Sequence, residues 1–589
     1  MNRSQRIPAA LGLVFGALVA AAGSAEPTAL TLSPCQPPGV PGPARCGRLS
    51  VYEDRVTKKG RQIGLKILVL AATGGNPAPD PVVFLAGGPG ESATEAAPGL
   101  AMVFAKVRER RDLLLVDQRG TGGSHPLNCS LFEPAGELQS YLGDFLPFAA
   151  VRRCRSELEK DADLTLYTTP LAMDDLDQVR AALGYDRLDL FGGSYGTRAA
   201  LVYLRRHEAH VRTVTIQGVA PTDQLVPLHF ARDTERALHF VLGECATEAA
   251  CRAAFPDAKA DLKAMMERLA AGSVPAEILH PETGESVTVS ISRDLAAETI
   301  RYMLYSPAAA GQIPAFVHAA AAGDLTPRAE MALFGRQHIV ASGSMGDYLS
   351  VTCAEDGPGI AVGEGEREAA GTMLGAYRVR QQRAACGVWP RGELPLGYRR
   401  PVHSRAPVLI LSGSCDPVTP PAQGTAVAKS LARSLHVIVP HGGHDFDGLK
   451  GVDCIDRLVA DFIERGTTTG LDTECVDRIE RPPFPTALAP MKPVPMDEER
   501  LARFAGAYTG EGRPFEAQLE VSSGRLRLAI PGDRTMLLVP VSGDRFRIVG
   551  VPFAALRFEM DQGRVRRAVL EEGGVAQVTL VPKASPPSP

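Results

Sequence analysis

Residues Gly192-Gly193-Ser194-Tyr195-Gly196 directly follow the apolar run Leu188-Asp189-Leu190-Phe191. The run reads as a short strand, and residues 197–207 read as a helix. A G-x-S-x-G pattern between a strand and a helix demands a sharp, strained turn that lifts the serine hydroxyl above the edge of a sheet. Glycines flank the serine because that turn has no room for a Cβ and neighbouring backbone packs closely against it. Ser194 is therefore a candidate nucleophile, and the chain around it has to supply a sheet.

Further apolar runs have the same shape. Val82-Val83-Phe84-Leu85 leads into Ala86-Gly87-Gly88-Pro89-Gly90, and residues 113–116 lead into Asp117-Gln118-Arg119-Gly120-Thr121-Gly122. Residues 211–216, 407–411 and 435–439 end at Gln217-Gly218, Ser412-Gly413-Ser414-Cys415-Asp416 and Pro440-His441-Gly442-Gly443-His444. Continuous Val/Leu/Ile runs indicate strands buried on both faces. Helical stretches between them, 173–183 and 197–207, predict a mostly parallel α/β sheet with functional loops at the strands' carboxyl ends.

The strand signal fades over residues 221–400. Segments 231–242 and 258–271 carry apolar residues at i, i+3, i+4 spacing, which predicts a helical cap inserted between a first core part, 26–220, and a second, 401–480. Residues 481–496 are rich in proline and read as a stiff linker. Short, partly alternating runs at 515–521, 525–530, 536–541, 545–549, 556–560 and 575–580 predict a small all-β domain over 497–583. The tail 585–589 reads as disordered.

The formal net charge of −4 over 589 residues, with no basic stripe, argues against a nucleic-acid partner. Arg3 and Arg6, an apolar stretch over 9–22 and Gly23-Ser24-Ala25 have the layout of a signal peptide cleaved after Ala25, so a secreted or periplasmic protein without a transmembrane anchor is expected. Ten of the eleven cysteines fall into pairs near in sequence, Cys35/Cys46, Cys129/Cys154, Cys245/Cys251, Cys353/Cys386 and Cys454/Cys475. An oxidising compartment suits them as disulfides, although spacing alone leaves the connectivity open. Cys415 is left over and reads as a small buried thiol.

A serine hydroxyl needs a histidine to take its proton, and the histidine needs an acid to orient it. Asp416 lies just past one predicted strand and His444 just past the next. The chain order Ser, Asp, His is that of the α/β-hydrolase fold. His441 competes with His444, but the Gly442-Gly443 pair lets the loop aim His444 inward. An oxyanion hole is expected from the backbone N–H groups of Tyr195 and Gly88, with Gly87 as second choice for the latter. No metal or organic cofactor is expected, because no histidines accompany the paired cysteines at ligand spacing.

The motifs Ala86 to Gly90, Asp117 to Gly122, Gly192 to Thr197 and Asp416-Pro417-Val418-Thr419-Pro420-Pro421 together resemble the secreted tripeptidyl-aminopeptidase and proline-iminopeptidase branch of the α/β-hydrolases. The resemblance spans about residues 45–480. It implies a serine exopeptidase that removes short pieces from free peptide N-termini, under a cap whose acidic side chains hold the substrate amine. Val351-Thr352-Cys353-Ala354-Glu355-Asp356 and Cys386-Gly387-Val388-Trp389-Pro390 resemble paired cap segments, which supports a Cys353–Cys386 bridge and makes Glu355 the candidate amine anchor, with Asp356 second. Asp117 and Arg119 are expected to brace the site as a local ion pair. Ala86 stands where proline iminopeptidases usually have histidine, which weighs against strict proline specificity. The β-rich tail is not part of the hydrolase unit. A carboxylesterase acting on small esters with the same triad is the alternative, and a binding module docking through the β-domain is a third reading.

Overall fold

The computed structural model describes residues 30–132, 137–488, 492–511, 516–530, 535–551, 554–572 and 575–583. The expected signal peptide, the tail 585–589 and the middle of the proline-rich linker lie outside these residues. The core is a nine-stranded sheet. Its strands are β1 (Ser33–Cys35), β2 (Ala44–Tyr52), β3 (Gln62–Leu70), β4 (Val82–Leu85), β5 (Leu113–Val116), β6 (Leu188–Gly193) and β7 (Val211–Gln217). A hairpin of β8 (Val274–Leu279) and β9 (Ser286–Ile291) follows elsewhere, and β10 (Ser404–Gly413) and β11 (Leu431–Val439) complete the core. The sheet order is β1-β2-β3-β5-β4-β6-β7-β10-β11. From β5 to β11 every pairing is parallel, while β1, β2, β3 and β5 pair antiparallel.

Strand β5 explains the apolar runs. Side chains alternate across a strand. Leu114 and Val116 pack with the helices Thr169–Ala182 and Tyr195–His207 on one face, and Leu113 and Leu115 pack with Ala97–Val103 and Asp453–Arg465 on the other. With both faces covered there is no polar side to alternate with. Strand β2 did not stand out in the sequence because it interleaves exposed Arg45 and Ser50 with its buried residues, the pattern of a sheet margin facing water.

Between β7 and β10 the chain is mostly helical, as expected. It includes Phe230–Thr247, Ala258–Ala270, Arg293–Met303, Ile313–Ala321, Thr326–Ser342, Met345–Glu355 and Tyr377–Cys386. The β8/β9 hairpin is an addition to that expectation. Its short strands expose alternate polar residues and carry no continuous apolar signal.

Eight strands, the first Gly506–Gly510 and the last Val575–Pro582, form a closed antiparallel barrel around Phe504, Leu519, Leu526, Phe546 and Phe558. Two barrel strands escaped the sequence reading. Gly506–Gly510 is bounded by glycines, and Arg564–Glu572 is dense in charge, with Arg567 paired to Glu559 on the neighbouring strand. The barrel is tied to the cap by the buried ion pair Arg547–Glu330 at 2.8 Å. The start of the linker is not a free spacer either. Arg481 pairs with Glu248 at 2.5 Å and Phe484 is buried against the cap helices.

Five disulfides close the near-in-sequence pairs Cys35–Cys46, Cys129–Cys154, Cys245–Cys251, Cys353–Cys386 and Cys454–Cys475. Among the described residues no helix is long and apolar enough to cross a membrane.

Candidate active site

Ser194 sits between β6 and the helix Tyr195–His207 with φ 54° and ψ −123°. A non-glycine residue at positive φ is strained and persists only where its surroundings hold it. Here the hold is the Ser194 N–H donating to the Gln217 carbonyl at 2.9 Å and the Thr197 N–H donating to the Ser194 carbonyl at 2.9 Å. The flanking glycines are forced by contact. A Cβ on Gly196 would strike the carbonyl of Leu85, and one on Gly192 would strike the carbonyl of Gly196.

Asp416 follows β10 and is fully buried. Its Oδ1 accepts the N–H groups of Val418 at 2.9 Å and Thr419 at 2.8 Å, and its Oδ2 accepts the Thr419 hydroxyl at 2.6 Å. The same Oδ2 lies 2.8 Å from His444 Nδ1, in the loop after β11. With Nδ1 donating to the carboxylate, Nε2 is left to accept a proton. The His444 ring packs edge-on to Tyr305 at 4.8 Å between centroids. Burial lowers the affinity of His444 for a proton, but the charge and hydrogen bond of Asp416, with Asp445 and Glu91, outweigh it and leave the pKa raised. Burial likewise opposes ionisation of Asp416, and the His444 charge and hydrogen bond with the Thr419 donors outweigh it, leaving that carboxyl lowered. The histidine and the aspartate thus stabilise each other's charged forms. His441 instead pairs with Glu244 at 2.5 Å on the cap.

Ser194 and His444 line one cavity of about 580 Å³ between the strand ends and the cap. Gly87, Gly88 and Pro89 line it too, so the loop after β4 faces the serine. Gly88 has φ 101°, and a Cβ there would lie 2.8 Å from the Gly90 nitrogen. Tyr195 contributes only its backbone near the serine, since its hydroxyl is buried 2.8 Å from Thr169 Oγ1. The first backbone N–H groups of a helix are unpaired within it and face the positive end of the dipole.

Two expectations need correction. Glu355 and Asp356 do not reach the cavity lining. Both are buried at the C-terminal end of the cap helix Met345–Glu355, where Asp356 pairs with Arg198 at 2.9 Å and Glu355 at 3.5 Å. Glu355 also accepts the Thr169 N–H at 2.8 Å and the Tyr398 hydroxyl. A buried arginine claims both carboxylates, because neither its charge nor theirs can be left unpaired there. Nor do Asp117 and Arg119 pair with each other. Asp117 accepts from Ser92 at 2.9 Å and from the N–H groups of Thr94 and Gly123 at 2.8 Å each, whereas Arg119 pairs with Asp175 at 2.7 Å. Asp117 therefore braces the loop after β4 and Arg119 braces the helix Thr169–Ala182.

The acids that do line the cavity are Glu91, Asp445 and Asp447. The sequence reading passed over all three. Glu91 directly follows Gly87-Gly88-Pro89-Gly90, and Asp445 directly follows His444, so adjacency to the motif residues was the available signal. Away from the cavity, Asp177, His207 and His210 come within metal-ligand spacing of one another. Asp177 is already engaged there by Arg180 at 2.7 Å and by the Tyr203 hydroxyl at 2.9 Å.

Comparison with known proteins shows what the chain is similar to. Residues 80–250 match the alpha/beta hydrolase fold model, and residues 372–475 match the TAP-like protein model. The chain is 27% identical over 483 residues to serine protease Hip1 of Mycobacterium tuberculosis, covering 74% of this chain and 88% of that one. It is 29% identical over 195 residues to the tripeptidyl aminopeptidase of Streptomyces lividans, covering 31% and 36%. It is 32% identical over 148 residues to a probable proline iminopeptidase of Streptomyces coelicolor, covering 25% and 35%. A solved proline iminopeptidase of Mycobacterium smegmatis aligns over 71% of this chain and 98% of its own, at 16% identity and a TM-score of 0.36.

Proposed function

The chain belongs to the α/β-hydrolase peptidase family, and from that premise we propose that it is a secreted serine exopeptidase that removes short pieces from the free N-termini of peptides. Ser194 is the nucleophile, His444 the general base and acid, and Asp416 the orienting acid. The observation that carries the reading is the 2.8 Å contact of His444 Nδ1 with buried Asp416, on a ring that lines the same cavity as the strained Ser194.

The chemistry follows from those positions. His444 Nε2 takes the Ser194 proton as Oγ attacks the scissile carbonyl carbon. The oxyanion is received by the N–H groups of Tyr195 and Gly88, and each such donor is worth about 10²–10³ in rate. His444 then gives the proton to the leaving amine, and an acyl-enzyme remains. Water attacks it with His444 again as base, which releases the N-terminal piece and restores Ser194. The cap closes over the cavity with Phe230, Tyr302, Met331 and Phe334, an apolar wall suited to a side chain next to the scissile bond. The disulfides support export to an oxidising compartment.

The test is turnover of peptide anilides with free and N-acetylated termini, alongside a simple nitrophenyl ester, by the wild type and Ser194→Ala. Cleavage confined to free-amine peptides and lost in the variant supports the reading. Ester cleavage without peptide cleavage overturns it in favour of a carboxylesterase.

A further inference from the structure

With Glu355 and Asp356 sequestered by Arg198, an exopeptidase of this fold needs another group to hold the substrate amine. The loop that carries the oxyanion glycines supplies a carboxylate inside the reactive cavity. Glu91 lines that cavity with Ser194 and His444. Its Oε2 lies 3.0 Å from the point where a Cβ on Gly87 would stand, and that point lies 3.4 Å from Ser194 Cβ. Glu91 Oε2 is thus no farther from Ser194 Cβ than those two distances laid end to end. Its backbone is fixed, because Glu91 bridges to Gly343 of the cap and the Ser344 N–H donates to the Gly90 carbonyl at 2.9 Å. Among the described residues no salt bridge engages it, while the arginines lining the cavity, Arg301 and Arg378, are both spent on Glu298. The side chain is open to the cavity, yet enough protein surrounds it that burial pushes its carboxyl up, against the pull of His444 and the Gly87 N–H. An arriving cation relieves that cost.

Reach then sets the length of the piece removed. In an N-terminal residue the amine nitrogen is only about 2.5 Å from its own carbonyl carbon, as bond lengths and angles dictate. The attacked carbon stands about 3–3.5 Å from the serine oxygen. The ammonium of the residue being acylated therefore falls in the zone Glu91 occupies. The ammonium of a tripeptide lies two residues farther back, about 7 Å at the extended rise per residue, and clears that zone. We infer that Glu91 receives the α-ammonium of the residue whose carbonyl Ser194 attacks, so that the enzyme releases one residue per cut. This rests on the exopeptidase reading above and adds to it the anchor and the step length.

The test compares wild type, Glu91→Gln and Glu91→Asp on alanyl, dialanyl and trialanyl anilides, each with free and acetylated N-terminus. Mass spectrometry of an unlabelled heptapeptide digest reads the step length directly. The inference expects the alanyl anilide to be the best substrate and the heptapeptide to shorten by single residues. It also expects the ratio of free-amine to acetylated kcat/KM to fall about a hundredfold in Glu91→Gln, through KM more than kcat. Glu91→Asp, which keeps the charge, should recover part of that ratio, and a melting temperature close to wild type in both variants separates recognition from folding. Release of tripeptides, or a free-amine preference that survives in well-folded Glu91→Gln, overturns the inference and leaves the exopeptidase reading standing. Wild-type activity on esters alone overturns that reading, and the inference with it.

Discussion

His444 Nδ1 and Asp416 Oδ2 meet at 2.8 Å across 28 residues of chain, each delivered by the loop after one of two neighbouring parallel strands. Strands β10 and β11 run in register from Val408/Ser434 to Gly413/Val439, so the loops that follow them open at the same level of the sheet. Asp416 spends Oδ1 on two backbone N–H groups and reserves Oδ2 for the histidine and Thr419. Replacing it with asparagine keeps the shape but offers the histidine the wrong partner. Asp416→Asn should lower kcat by about 10⁴, measured on the best anilide, with the melting temperature as a control for folding.

The pH profile follows from the same pair. In the proposed role of base, the reactive form of His444 is neutral, and its pKa is raised above the ordinary imidazole value. Activity is therefore absent on the acidic side and rises as pH passes through that raised value. The acidic limb of log kcat/KM against pH should lie above about 6.5, the unperturbed histidine value. It should move down when the negative charge is removed in Asp416→Asn. A limb at or below the unperturbed value would contradict the electrostatic account of the site.

Gly196 tests the elbow itself. A Cβ there meets the Leu85 carbonyl of strand β4, which is backbone in the middle of the sheet and cannot swing aside. Gly196→Ala should destabilise the protein by about 1–3 kcal/mol, the usual cost of overpacking. It should also reduce kcat by displacing Ser194, checked by denaturant unfolding and turnover together.

Cys415 adjoins Asp416 but is buried, and burial pushes its thiol up to about 12. The thiolate is the reactive form. Native protein treated with iodoacetamide at pH 8 should stay unlabelled at Cys415 and keep full activity, and label should enter only after unfolding in denaturant. Intact-mass measurement reads this out.

Glu330 and Arg547 are both buried and pair across the contact between the cap and the barrel. Removing one partner leaves the other charge stranded, at a typical cost of about 3–5 kcal/mol. Glu330→Ala should lower the melting temperature, whereas the double variant Glu330→Met/Arg547→Leu should recover most of the loss. Recovery would show that the stranded charge, more than a net attraction, sets the cost.

Much of the proposed catalytic layout was legible because it is local. The glycines about Ser194 announce a turn that only small residues permit, and the apolar runs before Ser194, Asp416 and His444 announce strands with loops at their ends. The near-in-sequence cysteine pairing was legible for the same reason, since short loops are readily closed. The proposed amine anchor, Glu91, was not. Glu355 and Asp356 look like free acids until Arg198, more than 150 residues earlier in the chain, is brought against them. Asp117 and Arg119, two residues apart, look like a pair until Ser92, Thr94 and Asp175 claim them separately.

What the sequence determined by itself, then, is whatever depends on neighbours along the chain: strand and helix periodicity, the strained serine turn, and the order of the serine, aspartate and histidine proposed as nucleophile, acid and base. Only the tertiary structure decided which charges remain available to a substrate. A carboxylate's role depends on the cation nearest in space and on how much water is excluded around it. Both are set by packing between segments far apart in sequence, which put Arg198 against Glu355 and Asp356 and left Glu91 facing the cavity.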